Sequence, residues 1–324
     1  MTLVSVLLPA FNAAEFLSAS VESVLSQTYP HIELIVVDDG STDATAEIAS
    51  RYAAKDRRVT VVRNEENRGV TCALNRALSR AAGELVARQD ADDLSRPERL
   101  ARQVAYLRRH PGVAVVGTWA EYMNPEGRPT GVWRTPAEPG AVAWALLFGT
   151  ALAHPSVLMR RTALEACGGY DESIRFAQDY DLWCRLLPAG QLANLPEVLY
   201  RRRVHGEAIG ARYKREQDEV VLRIMARRWR ELLGREVARE ELRWAFTAVR
   251  GEVLGHPGQL RHVLRLIDEL ACAPADRDGA GGTHRRALRR QYRRTLRAVA
   301  LRHRRVAPRT AAAAWARSWL RRLP

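Results

Sequence analysis

The 324-residue sequence predicts an α/β fold with a doubly wound, mostly parallel sheet, followed by a basic α-helical C-terminal region. Three observations carry this. Short apolar runs alternate with helically spaced segments from Val4 to Val116. Turn residues and acids gather where those runs end. Finally, the charge changes abruptly: residues 1–204 hold 23 Lys+Arg against 24 Asp+Glu, while 205–324 hold 28 against 13. That break marks a domain boundary, giving 1–205 and a helical 206–324. Within the first domain, 1–112 is the strand–helix half and 113–205 a more irregular one.

Each element follows from local pattern. Residues 4–8 (Val-Ser-Val-Leu-Leu) read as a buried strand stopped by Pro9, which lacks an N–H for a ladder. Phe16, Leu17, Val21, Val24 and Leu25 have helical spacing within 14–27. Residues 31–37 are the next strand, ending in Asp38-Asp39-Gly40-Ser41-Thr42-Asp43. A helix over 44–54, a strand over 59–62 and a helix over 70–82, closed by Gly83, come next. The strand from Leu85 then runs into Gln89-Asp90-Ala91-Asp92-Asp93. In such sheets ligands bind beyond the carboxyl ends of the strands, which places the loops at 9–12, 38–43 and 90–93 together. No Gly-x-Gly-x-x-Gly follows the first strand, so a dinucleotide fingerprint is missing.

The acids at 90–93 are the centre of the chemistry. In extended backbone, positions i and i+2 point the same way, so Asp90 and Asp92 face one point and their repulsion calls for a cation. Hard oxygen ligands in an open site suit Mg²⁺ or Mn²⁺ shared with a substrate phosphate. The plainer role, capping the next helix, is already filled by Ser95-Arg96-Pro97-Glu98, a Ser-x-x-Glu capping box. Asp38 or Asp39 suits either an acceptor for a nucleobase N–H or ribose hydroxyl, or a turn. Phe11 suits base stacking or the core. Asn67-Arg68-Gly69, before a helix, suits a turn or an anion contact.

A helix over 97–110 and a strand over 113–116 lead into an irregular stretch, 119–159, expected on the acceptor side. Residues 139–159 carry no formal charge, but Gly149 and His154-Pro155 interrupt them, so two short elements are expected and no membrane span. Residues 154–159 read as a strand. Asp179 opens a helix with Leu182, Trp183 and Leu186 on one face; it is either a first-turn acid or a base aimed into a cleft. Four scattered cysteines without a Cys-x-x-Cys pair fit a reduced, cytoplasmic protein, and no basic leader precedes the first apolar run.

Taken together, Val4 to Asn12, Val36-Val37-Asp38-Asp39-Gly40-Ser41-Thr42-Asp43, Asn67-Arg68-Gly69 and Asp90-Ala91-Asp92-Asp93 resemble family 2 glycosyltransferases of the GT-A fold, over roughly residues 3–205. The resemblance implies a nucleotide-diphosphate sugar donor, UDP first, a divalent cation, and inversion at the anomeric carbon. By motif position, Pro9, Phe11 and Asp38 fall where members hold base and ribose. Asp90 falls near the ribose, Asp92 where the metal is bound, and Asp179 where members carry the base, with Asp181 the weaker candidate. Gln178 stands where Glu often precedes that base, and Leu74 where many members carry Arg. Tyr200-Arg201-Arg202-Arg203-Val204-His205 matches a segment whose His approaches metal or diphosphate, one residue further along than the tightest spacing.

The last third asks for a partner of its own. From 285 to 324 there are 14 arginines and no Asp or Glu, with Trp315, Trp319 and Leu320 near the end. Leu288, Tyr292, Leu296 and Val299 fall on another side at helical spacing. Either that apolar side packs on the catalytic domain, or it dips into anionic headgroups at the inner face of the membrane, near a glycan or lipid-linked acceptor. Nucleic acid is not expected, since no recognised motif or aromatic interleaving accompanies the charge. A sugar-nucleotide nucleotidyltransferase would want a glycine-rich, basic loop where Pro9-Ala10-Phe11-Asn12-Ala13 stands.

Overall fold

The computed structural model describes residues 2–204, 213–273 and 282–317. Two compact units divide the chain: 1–137 with 152–213, and 138–151 with 214–324. In chain order the elements are β1 (Val4–Ala10), α1 (Leu17–Leu25), β2 (Ile32–Asp38), α2 (Thr45–Lys55), β3 (Val59–Arg63), α3 (Val70–Leu78), β4 (Leu85–Arg88), β5 (Leu94–Ser95), α4 (Arg99–Arg109), β6 (Val113–Met123) and β7 (Pro129–Trp133). Then come α5 (Pro139–Ala145), which belongs to the second unit, β8 (Leu158–Arg160), α6 (Arg161–Ala166), α7 (Gln178–Leu186) and β9 (Gln191–Arg203).

The first unit is one curled sheet in the order β3-β2-β1-β4-β8-β6-β9-β5, with β7 beside β6. From β3 to β4 every pairing is parallel, and β6 runs parallel to β9. β8 enters antiparallel between β4 and β6. Every residue of β1 is buried, because helices cover both faces of a central parallel strand. Val4, Val6 and Leu8 pack with Val21, Val24, Leu34, Val36, Leu100 and Val104.

Two local expectations fail for identifiable reasons. β1 does not stop at Pro9 but runs through it to Ala10. Leu7 gives its carbonyl to Gln89 on the β4 side, so Pro9, two residues on, faces that same side, where the β4 ladder has already ended at Arg88. The missing N–H therefore leaves no gap in the ladder. Likewise Ser95 does not cap α4. It lies in β5, paired with Tyr200, and its hydroxyl donates to Gln89 Oε1 at 2.7 Å.

That hydroxyl also accepts from Arg99, whose guanidinium is buried and stitches three elements together. Nη1 donates to Ser95 Oγ at 2.8 Å and to Gln89 Oε1 at 3.2 Å. Nη2 donates to the carbonyls of Arg88 at 2.7 Å and Val157 at 3.1 Å, and Nε to Gln103 Oε1 at 3.2 Å. The group lies 5.0 Å from the centre of the Tyr200 ring. Burial lowers its pKa to about 10, which still leaves it protonated at neutral pH. The end of β4, and so the start of the acid loop, is held by this charge.

The second unit is helical: α5 with α8 (Lys214–Leu233), α9 (Arg239–Arg250), α10 (Pro257–Cys272), α11 (Gly282–His303) and α12 (Pro308–Arg317). The segment 138–151, expected on the acceptor side and uncharged after Glu138, belongs here because its aromatic groups find partners here. Trp144 donates to Thr295 Oγ1 at 2.9 Å, and Trp229 donates to the Leu147 carbonyl at 2.8 Å. Phe148 meets the edge of Trp229 at 5.8 Å. Residues 154–156 form a one-turn 3-10 helix before β8, not a continuous strand. Among the described residues no helix is long and apolar enough to cross a membrane.

Candidate functional site

Three loops meet the carboxyl edge of the parallel strands, and the first two are bound to each other. Asn12 sits at φ 46°, a left-handed value that asparagine tolerates. Its Oδ1 accepts from Thr42 N at 2.9 Å while its own N–H donates to Ser41 Oγ at 3.0 Å. This leaves Phe11 at the tip, 45% exposed, so it is not a core residue. Pro9 lies buried beneath it in β1. Asp38 is fully buried at the end of β2; Oδ1 accepts from Ser41 N at 3.2 Å and Oδ2 faces Arg63 Nε at 3.2 Å. Asp39 is committed to the fold. It accepts from Asn64 Nδ2 at 2.5 Å and from the amides of Arg68 and Gly69 at 3.1 and 2.8 Å, fixing the turn before α3.

The acids at 90–93 converge by a turn, not by the alternation of an extended strand. β4 ends at Arg88, and Asp93 N donates to the Asp90 carbonyl at 3.3 Å. Carboxylate oxygens of Asp90, Asp92 and Asp93 all lie within 4.8 Å of one another. Asp93, to which the sequence reading gave no part of its own, is the deepest. One oxygen accepts from Arg203 N at 2.7 Å, and the other is buried without a hydrogen bond. Burial, and then the charges of Asp90 and Asp92, push its pKa well above the usual carboxylate value of 3.8. An orphaned buried carboxylate oxygen among three acids fits a hard divalent cation, and these residues are the ones that would hold it.

Basic and phenolic groups fix this turn. Arg88 Nη2 pairs with Asp90 Oδ1 at 2.5 Å. Burial works against the Arg88 charge, but the Asp90 carboxylate, together with the Tyr170 and Tyr200 phenols, outweighs it and holds the guanidinium above its ordinary range. Asp90 N donates to Tyr200 Oη at 3.1 Å, and Arg203 Nε donates to the Asp92 carbonyl at 3.0 Å. Arg203 also lies 4.4 Å above the Phe16 ring. The Tyr-Arg segment at the end of β9 thus grips the acid turn through Tyr200 and Arg203. His205 lies outside the described residues.

Asp179 and Asp181 separate cleanly. Both lie in the first turn of α7, which opens at Ala177 in a left-handed conformation of φ 54°. Asp181 is buried and accepts from Arg185 Nε at 2.7 Å; Arg185 Nη1 in turn holds the carbonyls of Cys167 and Gly169 at 2.7 and 2.8 Å. Asp181 is a structural acid. Asp179 is half-buried, and its charge reaches the buried Tyr170 phenol together with those of Arg88 and Asp90. Burial is the main reason that phenol resists ionisation, with both acids adding to it. Tyr170 therefore lies within electrostatic reach of both acid groups. Asn75 holds its backbone, donating to Tyr170 O at 2.8 Å and accepting from Tyr170 N at 3.0 Å, while Leu74 is fully buried.

His154 completes this layer, with Nε2 2.8 Å from Tyr170 Oη and its ring 5.6 Å from that of Trp183. Burial, then Arg88 and Arg202, hold its pKa well below 6.5. The unfolded imidazole takes a proton near that value and the native one does not, so below it the unfolded state binds more protons. Stability should fall by up to about 1.4 kcal/mol per pH unit as pH drops below the usual histidine value. His154→Gln should flatten the pH dependence of Tm in thermal melts between about pH 7.5 and 5.5. An unchanged slope would show that another group controls it.

A curled, mostly parallel sheet with an acid turn at its carboxyl edge is the arrangement expected of a GT-A-type glycosyltransferase. A model described as Glycosyl transferase family 2 matches residues 5–168. The chain belongs to that family. The putative glycosyltransferase EpsE of Bacillus subtilis is 39% identical over 214 residues, covering 64% of this chain and 76% of that one. Among solved structures, TarS 1–349 of S. aureus in complex with UDP-GlcNAc superposes with a TM-score of 0.59 at 17% identity, over 98% of this chain and 89% of that one. Mannosyltransferase PcManGT of Pyrobaculum calidifontis, in complex with GDP-Man and Mn²⁺, gives 0.57 at 22% identity, over 93% and 86%.

Proposed function

We propose that this glycosyltransferase moves a sugar from a nucleotide-diphosphate donor, a UDP-sugar first, to an acceptor hydroxyl, with Mg²⁺ or Mn²⁺ and with inversion. The observation that carries the reading is the acid turn with its orphaned Asp93 oxygen at the carboxyl edge of a parallel sheet. Asp92 and Asp93 would hold the cation, with His205, two residues beyond Arg203, as the further ligand that the family resemblance implies. Asp90, clamped by Arg88, lies by the ribose. Phe11 stacks on the base above Pro9, and Asp38 accepts a base or ribose hydrogen. When bound, the cation supplies charge that stabilises the leaving diphosphate. Asp179 takes the proton of the attacking hydroxyl, the single displacement needing a base on the acceptor face. The acceptor is a glycan or a lipid-linked glycan of the cell envelope or exterior, met on the cytoplasmic side of the membrane.

PcManGT with GDP-Man and Mn²⁺ and TarS with UDP-GlcNAc support a nucleotide sugar without choosing the base. A thermal-shift screen of UDP-, GDP- and dTDP-sugars, with and without Mn²⁺, chooses it. A donor at about 100 times its Kd adds about 2.7 kcal/mol, a shift of several degrees. One donor should raise Tm, and only with the metal. A nucleoside triphosphate shifting Tm in place of every nucleotide sugar would overturn transfer in favour of nucleotidyl chemistry.

A further inference from the structure

We infer that the arginine face of α11 is an adsorption surface for an anionic phospholipid bilayer. Arg286, Arg289, Arg290, Arg293, Arg294 and Arg297 recur at three- and four-residue spacing, a stripe about 17 Å long on one side of the helix. Among the described residues, their side chains line one shallow groove. On the other side Ala287, Tyr292, Leu296, Val299 and Ala300 are buried. Tyr292 donates to Asp268 Oδ1 at 2.7 Å and meets the edge of Trp144 at 5.7 Å. An apolar side already packed inside its own unit cannot dip into headgroups. Of the two alternatives the sequence left open, insertion is therefore set aside for α11, and Trp319 and Leu320 lie outside the described residues. What α11 presents outward is cationic.

The chemistry of the face selects its partner. Glu138 pairs with Arg290 at 3.2 Å, and residues 285–324 themselves contain 14 arginines and no Asp or Glu. Guanidinium forks bind phosphate oxygens in pairs. Among the described residues the groove holds no aromatic platform for bases and no amide or carboxylate to read sugar hydroxyls. Such a face binds phosphates as an array without reading what carries them, and the headgroup plane of the membrane proposed above presents such an array. Each arginine near an anionic surface is worth about a fivefold gain in partition. The inference rests on the membrane location proposed above and names the side chains responsible.

The test is co-sedimentation of the full chain with phosphatidylcholine vesicles, with and without about 30% phosphatidylglycerol. The wild type should sediment only with the anionic vesicles and be released at about 0.5 M salt, where the Debye length is short. The quadruple variant Arg286→Gln, Arg289→Gln, Arg293→Gln, Arg294→Gln should partition at least about a hundredfold less, with unchanged Tm and an unchanged donor-induced shift. The matching lysine variant should keep most of the binding, because the charge is kept. If the wild type binds and the glutamine variant binds equally, this face is wrong and the location stands. If the wild type binds no anionic vesicle, both fail. Salt-sensitive binding of RNA or an anionic glycan without vesicle binding would also overturn the bilayer assignment.

Discussion

Asp179→Asn should lower the rate of sugar transfer by about 10²- to 10⁴-fold while leaving donor capture unchanged. A base acts on the attacking hydroxyl only as the transition state forms, so its loss appears in kcat and not in the affinity of the nucleotide sugar. Asparagine suits the helix start as well as aspartate does, so α7 should still form. Asp181→Asn is the contrast. It breaks the pair with Arg185 that holds Cys167 and Gly169, so it should cost stability, and any loss of activity should follow the loss of folded protein. The checks are initial rates at saturating donor, donor affinity by titration, and Tm for each variant. Weakened donor binding by a normally folded Asp179→Asn protein would remove Asp179 from the base role.

Much of the sheet edge could be read in the sequence because each strand end carries its own punctuation. Apolar runs that stop at Pro9-Ala10-Phe11-Asn12, at Asp38 and at Asp90 place three loops at one edge once the strands are parallel. What could not be read was set by partners distant in sequence. Ser95-x-x-Glu98 has the local form of a capping box, yet the Ser95 hydroxyl is claimed by Gln89 and Arg99. Arg99 itself lies in a charged stretch with the look of a solvated helix face, and it is buried because five carbonyl and side-chain acceptors converge on it. Nothing in Asp92-Asp93 says which acid goes inward; that follows from Arg203, 110 residues away. Residues 139–151 carry no charge to say which unit they join, and the indole partners decide it. Asp39 and Asp38 look interchangeable until Asn64, Arg68 and Gly69 are seen to occupy Asp39.

Asp92→Asn should remove metal-dependent nucleotide binding and reduce transfer by about a thousandfold, the order expected when several kcal/mol of charge stabilisation on the leaving diphosphate is lost. The wild type stripped with EDTA should behave alike, and added Mn²⁺ should rescue the wild type but not the variant. Asp93→Asn separates ligation from stability at the same turn. Its carboxyl binds its proton more tightly in the native state than in the unfolded chain, so without a cation stability falls as pH rises above the ordinary value of 3.8. At neutral pH the buried charge is thus a cost that the cation would relieve. Asp93→Asn should raise the Tm of the metal-free protein at neutral pH and abolish the further rise on adding Mn²⁺. Asp92→Asn should move the metal-free Tm less and abolish the same rise. Thermal melts with Mn²⁺ and with EDTA at one pH read all four conditions. If Mn²⁺ raised the Tm of Asp92→Asn as much as that of the wild type, the cation would lie elsewhere and the acid turn would be structural.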